Sequence, residues 1–488
     1  MARKVKKLFD DTGTEIRELG YYSTPIEVAN FIQDRLIQIN PSISRVLDPA
    51  VGKEELIKKF LKRGIKVDGF DVYNHLKNYQ CNFINQNFLE YCMNNIDQNL
   101  LIKNELDYDA IIMNPPYNCH EINYIKDNKK RLCSYFPDTK VLNMYSMFMD
   151  VVITHSKAET LIGMIVSDSF MTSKMHSKLR QKIISNCKIY NLILCPNNLF
   201  WKQKADVRTC ILILKKTTKN KDNYKIDTLS REISLDSFYL KLKQKSFESE
   251  VKNNFILDFK KDNREWLIDV PKECIQLFKN KRLGDLFPCV TGISTGNDSK
   301  YLSKTYSKEY CHPFYKNPGS QKFKCKPNNF LITDYLNIDK KVKNFMVRNK
   351  QFIGKEGITC SSMGVAFSAC YLPPNSTFGV NPNIFPDQNS IYWLLSYLNS
   401  ELVTFLIRSS LIRTNMITSG YLARLPIIFF EQSIKDQLTE LAKTLIKNDK
   451  KSNKEITKIN KLVFNSANLS NQTIDHIIAF NKNLVRKV

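Results

Sequence analysis

Over its first two hundred residues the chain alternates short apolar runs with stretches of helical spacing. Val46–Leu47, Val67–Phe70, Asn82–Leu89, Ala110–Met113, Leu161–Val166, Ile189–Leu194 and Val207–Leu214 are short and bounded by polar or turn residues. They read as strands, most of them buried on both faces. Between them Ile26–Ile39, Glu54–Leu61 and Ser169–Ile184 carry helical apolar spacing. Lys215–Lys281 is charged and poorly periodic and reads as a linker or connecting subdomain. From Leu283 onward come Gly and Pro turns, short apolar runs and many aromatics, with turn-rich stretches at Gly292–Asn297 and Ile358–Gly364. Tyr392–Ile407 and Ile434–Ile446 have helical spacing, and Asn453–Val488 reads as a basic helical tail. No internal repeat is present.

The polar residues that end these strands carry the chemistry. Ala110–Met113 runs into Asn114-Pro115-Pro116-Tyr117. Neither proline donates to a sheet ladder, and Pro115 pushes Asn114 out of the helical region, so the strand stops in a rigid elbow. In open α/β sheets that edge is where ligands bind; the bland reading is a Pro-rich turn. Val46–Leu47 runs into Asp48-Pro49-Ala50-Val51-Gly52, a tight turn, and Val67–Phe70 ends at Asp71. An acid some twenty residues past a glycine-bearing turn suits ribose hydroxyls, although no full glycine fingerprint is present. Asn87-Phe88 offers an amide and a ring for a purine. Thr24 suits a helix cap and Pro25 a first helical turn, or else the hydroxyl and exposed amides there hold a small polar ligand. Leu199–Lys204 is a loop with adjacent aromatics, Phe200 and Trp201, where Phe200 is either a core plug or a stacking surface.

Composition narrows the class. The 488 residues exceed one core, so two or three domains are expected. A formal net charge of +25 favours a polyanionic partner, nucleic acid before membrane. The 13 cysteines show no CxxC pair and no Cys/His grouping at metal spacing, which suits free thiols in a reducing compartment and no metal. With no long apolar span and no signal core after Met1-Ala2-Arg3-Lys4, an intracellular, cytoplasmic protein is expected.

The order of these pieces resembles the gamma class of S-adenosylmethionine-dependent DNA N6-adenine methyltransferases, of the restriction-modification and phage-defence type with a C-terminal target-recognition domain. The resemblance rests on RELGYYSTP at Arg17–Pro25, DPAVG at Asp48–Gly52, Asp71, NPPY at Asn114–Tyr117 and LFWKQKADVRTCILILKK at Leu199–Lys216. Further pieces are TGISTGNDSKYL at Thr291–Leu302, the Gly357–Phe378 region, LNSELVTFLI at Leu398–Ile407 and SGYLARLPI at Ser419–Ile427. It implies a Rossmann-like α/β methyltransferase domain with a mixed, mostly parallel sheet over 1–220, its last strand being antiparallel Val207–Leu214. A connecting segment would cover 221–282, a mixed α+β recognition domain 283–430, and a basic helical tail 431–488. Tyr22, Thr24, Pro25, Asp48, Pro49, Ala50, Gly52, Asp71, Asn87, Phe88 and Asn114 would line the cofactor site. Asn114, Pro115, Pro116, Tyr117 and Phe200 would form the catalytic site, with Tyr117 and Phe200 on opposite faces of a flipped adenine and Trp201 the fallback.

Double-stranded DNA is the implied partner, beside a separately encoded restriction endonuclease or defence-complex subunit, with no nuclease in this chain. Arg408, Arg413 and Arg424 lie either on a DNA-facing region or on a solvated surface. Two residues depart from the pattern. Lys53, followed by Glu54, stands where a small residue is usual, and Asn87 where an acid is usual. Both point to weaker cofactor binding. They also support a rival reading, a sequence-specific DNA-binding defence component without turnover. N4-cytosine methylation keeps the same elbow, while RNA or protein methylation needs another kind of substrate domain.

Overall fold

The computed structural model describes residues 21–95, 106–118, 122–139, 142–203, 207–218, 224–257, 262–364, 366–413, 416–448 and 453–484. Arg17–Gly20 and Lys204, which belong to the motifs above, lie outside them. The chain divides into two compact units, one comprising residues 1–258 and 262–269, the other 259–261 and 270–488.

The first unit is built on a nine-stranded sheet: β1 (Arg45–Asp48), β2 (Lys66–Asp71), β3 (Asn82–Asn85), β4 (Ala110–Met113), β5 (Leu161–Ser167), β6 (Cys187–Leu194), β7 (Thr209–Lys216), β8 (Lys225–Leu229) and β9 (Glu248–Val251). Their spatial order is β3-β2-β1-β4-β5-β7-β6-β8-β9. β1 to β5 run parallel, and β7 is antiparallel to both β5 and β6. The β4 run is apolar throughout because both its faces are covered. Ile111 and Met113 enter one hydrophobic layer and Ala110 and Ile112 the other. The helix Ile26–Ile39 belongs to that second layer and passes so close to β5 that a Cβ on Gly163 would lie 2.6 Å from Ile32 Cγ2.

Three sequence expectations change here. The strand at Val207–Leu214 does not end the sheet but lies inside it, between β5 and β6. Part of the segment 221–282 read as a connector belongs to the sheet of the first unit. Its first part supplies β8, β9 and the helix Leu235–Gln244, whose Phe238 and Leu242 are buried. Charge outside and a sparse apolar stripe inside is what an edge element looks like, and it has little period to read. The helix expected over Glu54–Leu61 is only Lys58–Lys62, because Glu54 takes a left-handed φ of 62°, which no helix interior tolerates.

The second unit is mixed α+β. One four-stranded sheet orders Cys289–Val290, Asn383–Ile384, Gly357–Cys360 and Ala369–Leu372; another orders Leu302–Ser303, Asn329–Ile332, Tyr310–Tyr315 and Thr377–Phe378. Gly357–Cys360, read as turn-rich, is an interior strand with every residue buried. The helix expected at Tyr392–Ile407 is interrupted. Asn399 is the C-cap of the first segment, its side-chain amide bonding both backbone groups of Ala369 (3.1 and 2.9 Å), and Ser400 Oγ caps the next helix by accepting from Val403 N–H at 3.3 Å. The stretch read as a helical tail forms the helices Gln432–Lys447, Asn453–Ser466 and Asn471–Asn483, packed on the rest of the unit. Ser396 Oγ donates to the Leu438 carbonyl at 2.7 Å, and the Phe405 and Phe480 rings meet edge to face at 4.9 Å. Arg408 and Arg413 are buried, so neither is a solvated surface charge; Arg408 donates to the Gly364 carbonyl. No helix among the described residues is long and apolar enough to cross a membrane.

Candidate functional site

β1 and β4 are neighbours, Leu47 paired with Ile111, although β2 and β3 separate them in sequence. Strand order reverses at this point, and a crevice at the carboxyl ends follows from the two crossovers departing to opposite sides. The turn 48–52 leaves one strand and the elbow 114–117 leaves the other.

The Asn114 amide is oriented from the N-terminal segment. Its Nδ2 donates to the Tyr22 carbonyl at 2.7 Å and to Thr24 Oγ1 at 3.0 Å. With both amide hydrogens engaged, Oδ1 is left as the acceptor. The Tyr117 hydroxyl lies 2.8 Å from Oδ1 and 3.1 Å from the Ile165 carbonyl. One hydroxyl proton serves one of these at a time, and Oδ1 retains a lone pair for another donor. Burial pushes the Tyr117 phenol well above its ordinary range, so it stays a neutral donor. Thr24 is therefore not a helix cap. Pro25 occupies the cap position of Ile26–Ile39 with no side-chain cap bond, and the Thr24 hydroxyl serves Asn114 instead.

Three rings surround the elbow. Tyr22, Tyr117 and Phe200 have centroid separations of 5.9, 6.1 and 6.3 Å, all tilted. Phe200 is 1% exposed while its neighbour Trp201 is 44% exposed, so Phe200 is the ring that joins this cluster. Tyr117 and Phe200, at 6.3 Å and 55°, stand short of the roughly 7 Å parallel spacing that two van der Waals contacts to a flat base require.

On the other side, Gly52 has φ +53° and a Cβ there would meet the Tyr21 ring at 2.4 Å, so the turn favours glycine. The Gly52 N–H donates to Asp71 Oδ2 at 3.0 Å, and Tyr73 N–H to Asp71 Oδ1 at 3.0 Å. Pro49 and Ala50 form the turn itself. Asp48 is fully buried; its Oδ1 accepts from Ala50 N–H at 3.1 Å, and its Oδ2 has no hydrogen-bond partner among the described residues. Burial pushes its carboxyl well above the usual range.

The purine reading of Asn87-Phe88 is corrected at the side-chain level. Asn87 Oδ1 caps the helix Phe88–Asn95, accepting from Leu89 N–H at 2.9 Å and Glu90 N–H at 3.4 Å. The Phe88 ring is a core residue, 1% exposed and edge-on to Phe70 at 5.3 Å. The departure after Gly52 has a local role: Glu54 Oε1 accepts from Gln80 N–H (2.8 Å) and Cys81 N–H (2.9 Å), tying the chain before β3 to the turn.

Two residues that sequence reasoning did not single out hold the N-terminal segment. Glu55 Oε1 accepts from the Tyr21 hydroxyl and from Ser23 Oγ at 2.7 Å. Gln203 pairs with both backbone groups of Ser23 at 2.7 Å each. Gln203 sits inside the Leu199–Lys216 stretch and Glu55 just past the Asp48–Gly52 turn, but each meets its partner only through the fold.

Among solved structures the chain is similar to the Type IIL restriction-modification enzyme MmeI in complex with DNA, with a TM-score of 0.62 and 12% identity over 98% of this chain and 80% of that one. A DrdV–DNA complex matches with a TM-score of 0.54 and 12% identity over 88% and 57% of the respective chains. A nuclease-deletion mutant of the Type ISP enzyme LlaGI with a DNA substrate mimic matches with a TM-score of 0.54 and 13% identity over 87% and 54%. These likenesses are of fold. The chain spans little more than half of the DrdV and LlaGI chains, and 58% of a modification subunit of a putative type I restriction enzyme from Vibrio vulnificus YJ016. The N-6 DNA methylase profile matches residues 10–276, just over half of the chain and nearly all of the first unit. The chain belongs to the N-6 DNA methylase family, whose chemistry is methylation of adenine N6 in DNA from S-adenosylmethionine.

Proposed function

We propose that this chain is a gamma-class, site-specific methyltransferase that acts on N6 of a flipped-out adenine in double-stranded DNA. The observation that carries this reading is the Asn114 amide, whose nitrogen is engaged by Tyr22 and Thr24 so that its oxygen is held as an acceptor among three aromatic rings. An adenine amine is a poor nucleophile because its lone pair is delocalised into the ring. Asn114 Oδ1 and the Pro115 carbonyl accept its two N–H bonds and draw the nitrogen toward tetrahedral geometry, which frees the lone pair. The gain is positioning together with stabilisation of the positive charge developing on nitrogen. Tyr117 and Phe200 replace the stacking that the flipped base loses.

The cofactor side fits S-adenosylmethionine. The buried, unpartnered Asp48 oxygen suits a cationic group, Asp71 stands at the end of β2 for ribose hydroxyls, and Gly52 keeps a Cβ out of the turn. When bound, that cofactor supplies a methyl group on a positively charged sulfonium. Asn87 meets a cofactor adenine with its amide nitrogen or backbone rather than its oxygen.

The net charge of +25 and the DNA-bound structural relatives support duplex DNA as the partner. In this reading residues 283–430 read the target sequence and the helices over 431–488 buttress them. A separately encoded endonuclease or another defence-complex subunit acts alongside. Incubation of purified protein with unmethylated genomic DNA and methyl-labelled S-adenosylmethionine, followed by nucleoside analysis and methylation-aware sequencing, tests this. N6-methyladenine at one recurring motif is expected. N4-methylcytosine overturns the target, and sequence-specific binding without transfer overturns the enzyme.

A further inference from the structure

Ser23 is held from three sides. Its N–H donates to Gln203 Oε1 and its carbonyl accepts from Gln203 Nε2, both at 2.7 Å. The side-chain amide thereby pairs with one residue's backbone as a neighbouring strand would. Gln203 ends the single 3₁₀ turn Trp201–Gln203, and its own N–H donates to the Phe200 carbonyl at 3.0 Å. The Ser23 hydroxyl goes to Glu55, whose Oε2 accepts from Lys53 N–H at 3.2 Å, just past the cofactor turn. On either side of Ser23, Tyr22 and Thr24 hold the Asn114 amide. Residues 22–24 therefore tie together the turn after β1, the catalytic elbow and the loop that carries Phe200. The Tyr22 ring lies 6.1 Å from the Phe200 ring, so a shift of this segment moves the aromatic surface directly.

We propose that Gln203 is a positioning residue that couples the cofactor turn to the Phe200 loop. A ligand settling against the turn then orders the aromatic face that receives the base, and DNA in its turn tightens the cofactor. The inference rests on the functional reading above. Linkage makes the effect reciprocal: whatever factor the cofactor adds to DNA affinity, DNA adds to cofactor affinity.

The test uses the full chain, S-adenosylhomocysteine, and a duplex carrying the motif found by sequencing, with 2-aminopurine at the target adenine. In the wild type each ligand is expected to tighten the other by about 10-fold. Gln203→Ala should bring that factor close to one and lower kcat by about 10- to 100-fold, because the base is no longer held in register. Its affinity for S-adenosylhomocysteine without DNA should change far less, and its 2-aminopurine signal should become independent of S-adenosylhomocysteine. Gln203→Glu keeps the acceptor for Ser23 N–H and loses the donor. It should fall between the two, and it serves if the alanine variant does not fold.

Trp201 gives a readout that needs no turnover, since Trp266 and Trp393 are buried and Trp201 is exposed. S-adenosylhomocysteine should protect it from acrylamide quenching in the wild type and not in Gln203→Ala. Unchanged coupling and kcat in Gln203→Ala overturn the proposal, as does a loss of cofactor affinity with kcat and coupling intact. If the wild type transfers no methyl group, the functional reading fails by itself, and the Trp201 protection still decides the coupling.

Discussion

Asn114 and Asp48 show how single polar groups at the strand ends are prepared for ligands. Asn114 Oδ1 is aimed as an acceptor because Tyr22 and Thr24 fix the nitrogen, so Asn114→Ala removes an acceptor that nothing else replaces. Methyl transfer, read as label incorporated into DNA, should fall by about 100- to 1000-fold, the usual effect of deleting one oriented group of this kind. Tyr117→Phe keeps the ring and loses only the hydroxyl bridge, so it should retain far more activity than Tyr117→Ala, which forfeits about 1–3 kcal/mol of base stacking. Asp48 is prepared at the expense of stability. Its carboxyl is raised above its unfolded value, so holding it ionised at neutral pH opposes folding, and that penalty fades as pH falls through the folded value. Asp48→Asn removes the penalty. The variant should melt at a higher temperature than the wild type at pH 7 and gain less from S-adenosylhomocysteine, both readable in one set of thermal shifts.

At the level of elements, β4 was legible from sequence because a strand covered on both faces is apolar at every position and because two prolines mark its end. Glu54–Leu61 was misread for the opposite reason: its apolar spacing is helical, while Glu54 adopts a left-handed backbone to place its carboxylate on Gln80 and Cys81, a need set by residues far along the chain. The start of β4 is held by Asp109. Burial alone would raise its carboxyl, but the Ser44 hydroxyl and N–H, Arg45 N–H and Lys157 outweigh it and draw it down to about 2. A lowered carboxyl contributes stability above its unfolded value near 4, and that contribution is lost as pH falls from about 4 toward 2. Asp109→Asn should therefore flatten the stability profile across that window, measured by urea denaturation at a series of pH values. Gly163→Ala should destabilise the first unit by about 1–3 kcal/mol, because its Cβ would lie 2.6 Å from a methyl group of a packed helix.

For the whole molecule, the excess of basic residues has a consequence in salt. If duplex phosphates are the partner, each neutralised phosphate releases counterions, and affinity for a duplex should drop about 10³- to 10⁵-fold between roughly 50 and 200 mM salt. Fluorescence anisotropy across that range gives the slope; a flat profile would mean that the +25 charge does not face the DNA. Charge could be counted from sequence but not located. Arg408 and Arg413, candidates for DNA contact in the sequence, are buried within the second unit, and the Arg408 guanidinium donates to the Gly364 carbonyl.

By itself the sequence determined where these strands end and which polar residues stand there. A proline-stopped strand, a glycine that must turn left-handed and an acid closing the next strand are local constraints, written in a few adjacent residues. Tertiary structure alone decided which groups those residues meet. Asn114 is oriented by Tyr22 and Thr24, Ser23 is gripped by Gln203 from 180 positions away, and the sheet continues through β8 and β9. Such pairings leave no periodicity, since hydrogen bonds between distant segments depend on how the chain crosses the sheet rather than on what precedes or follows each residue.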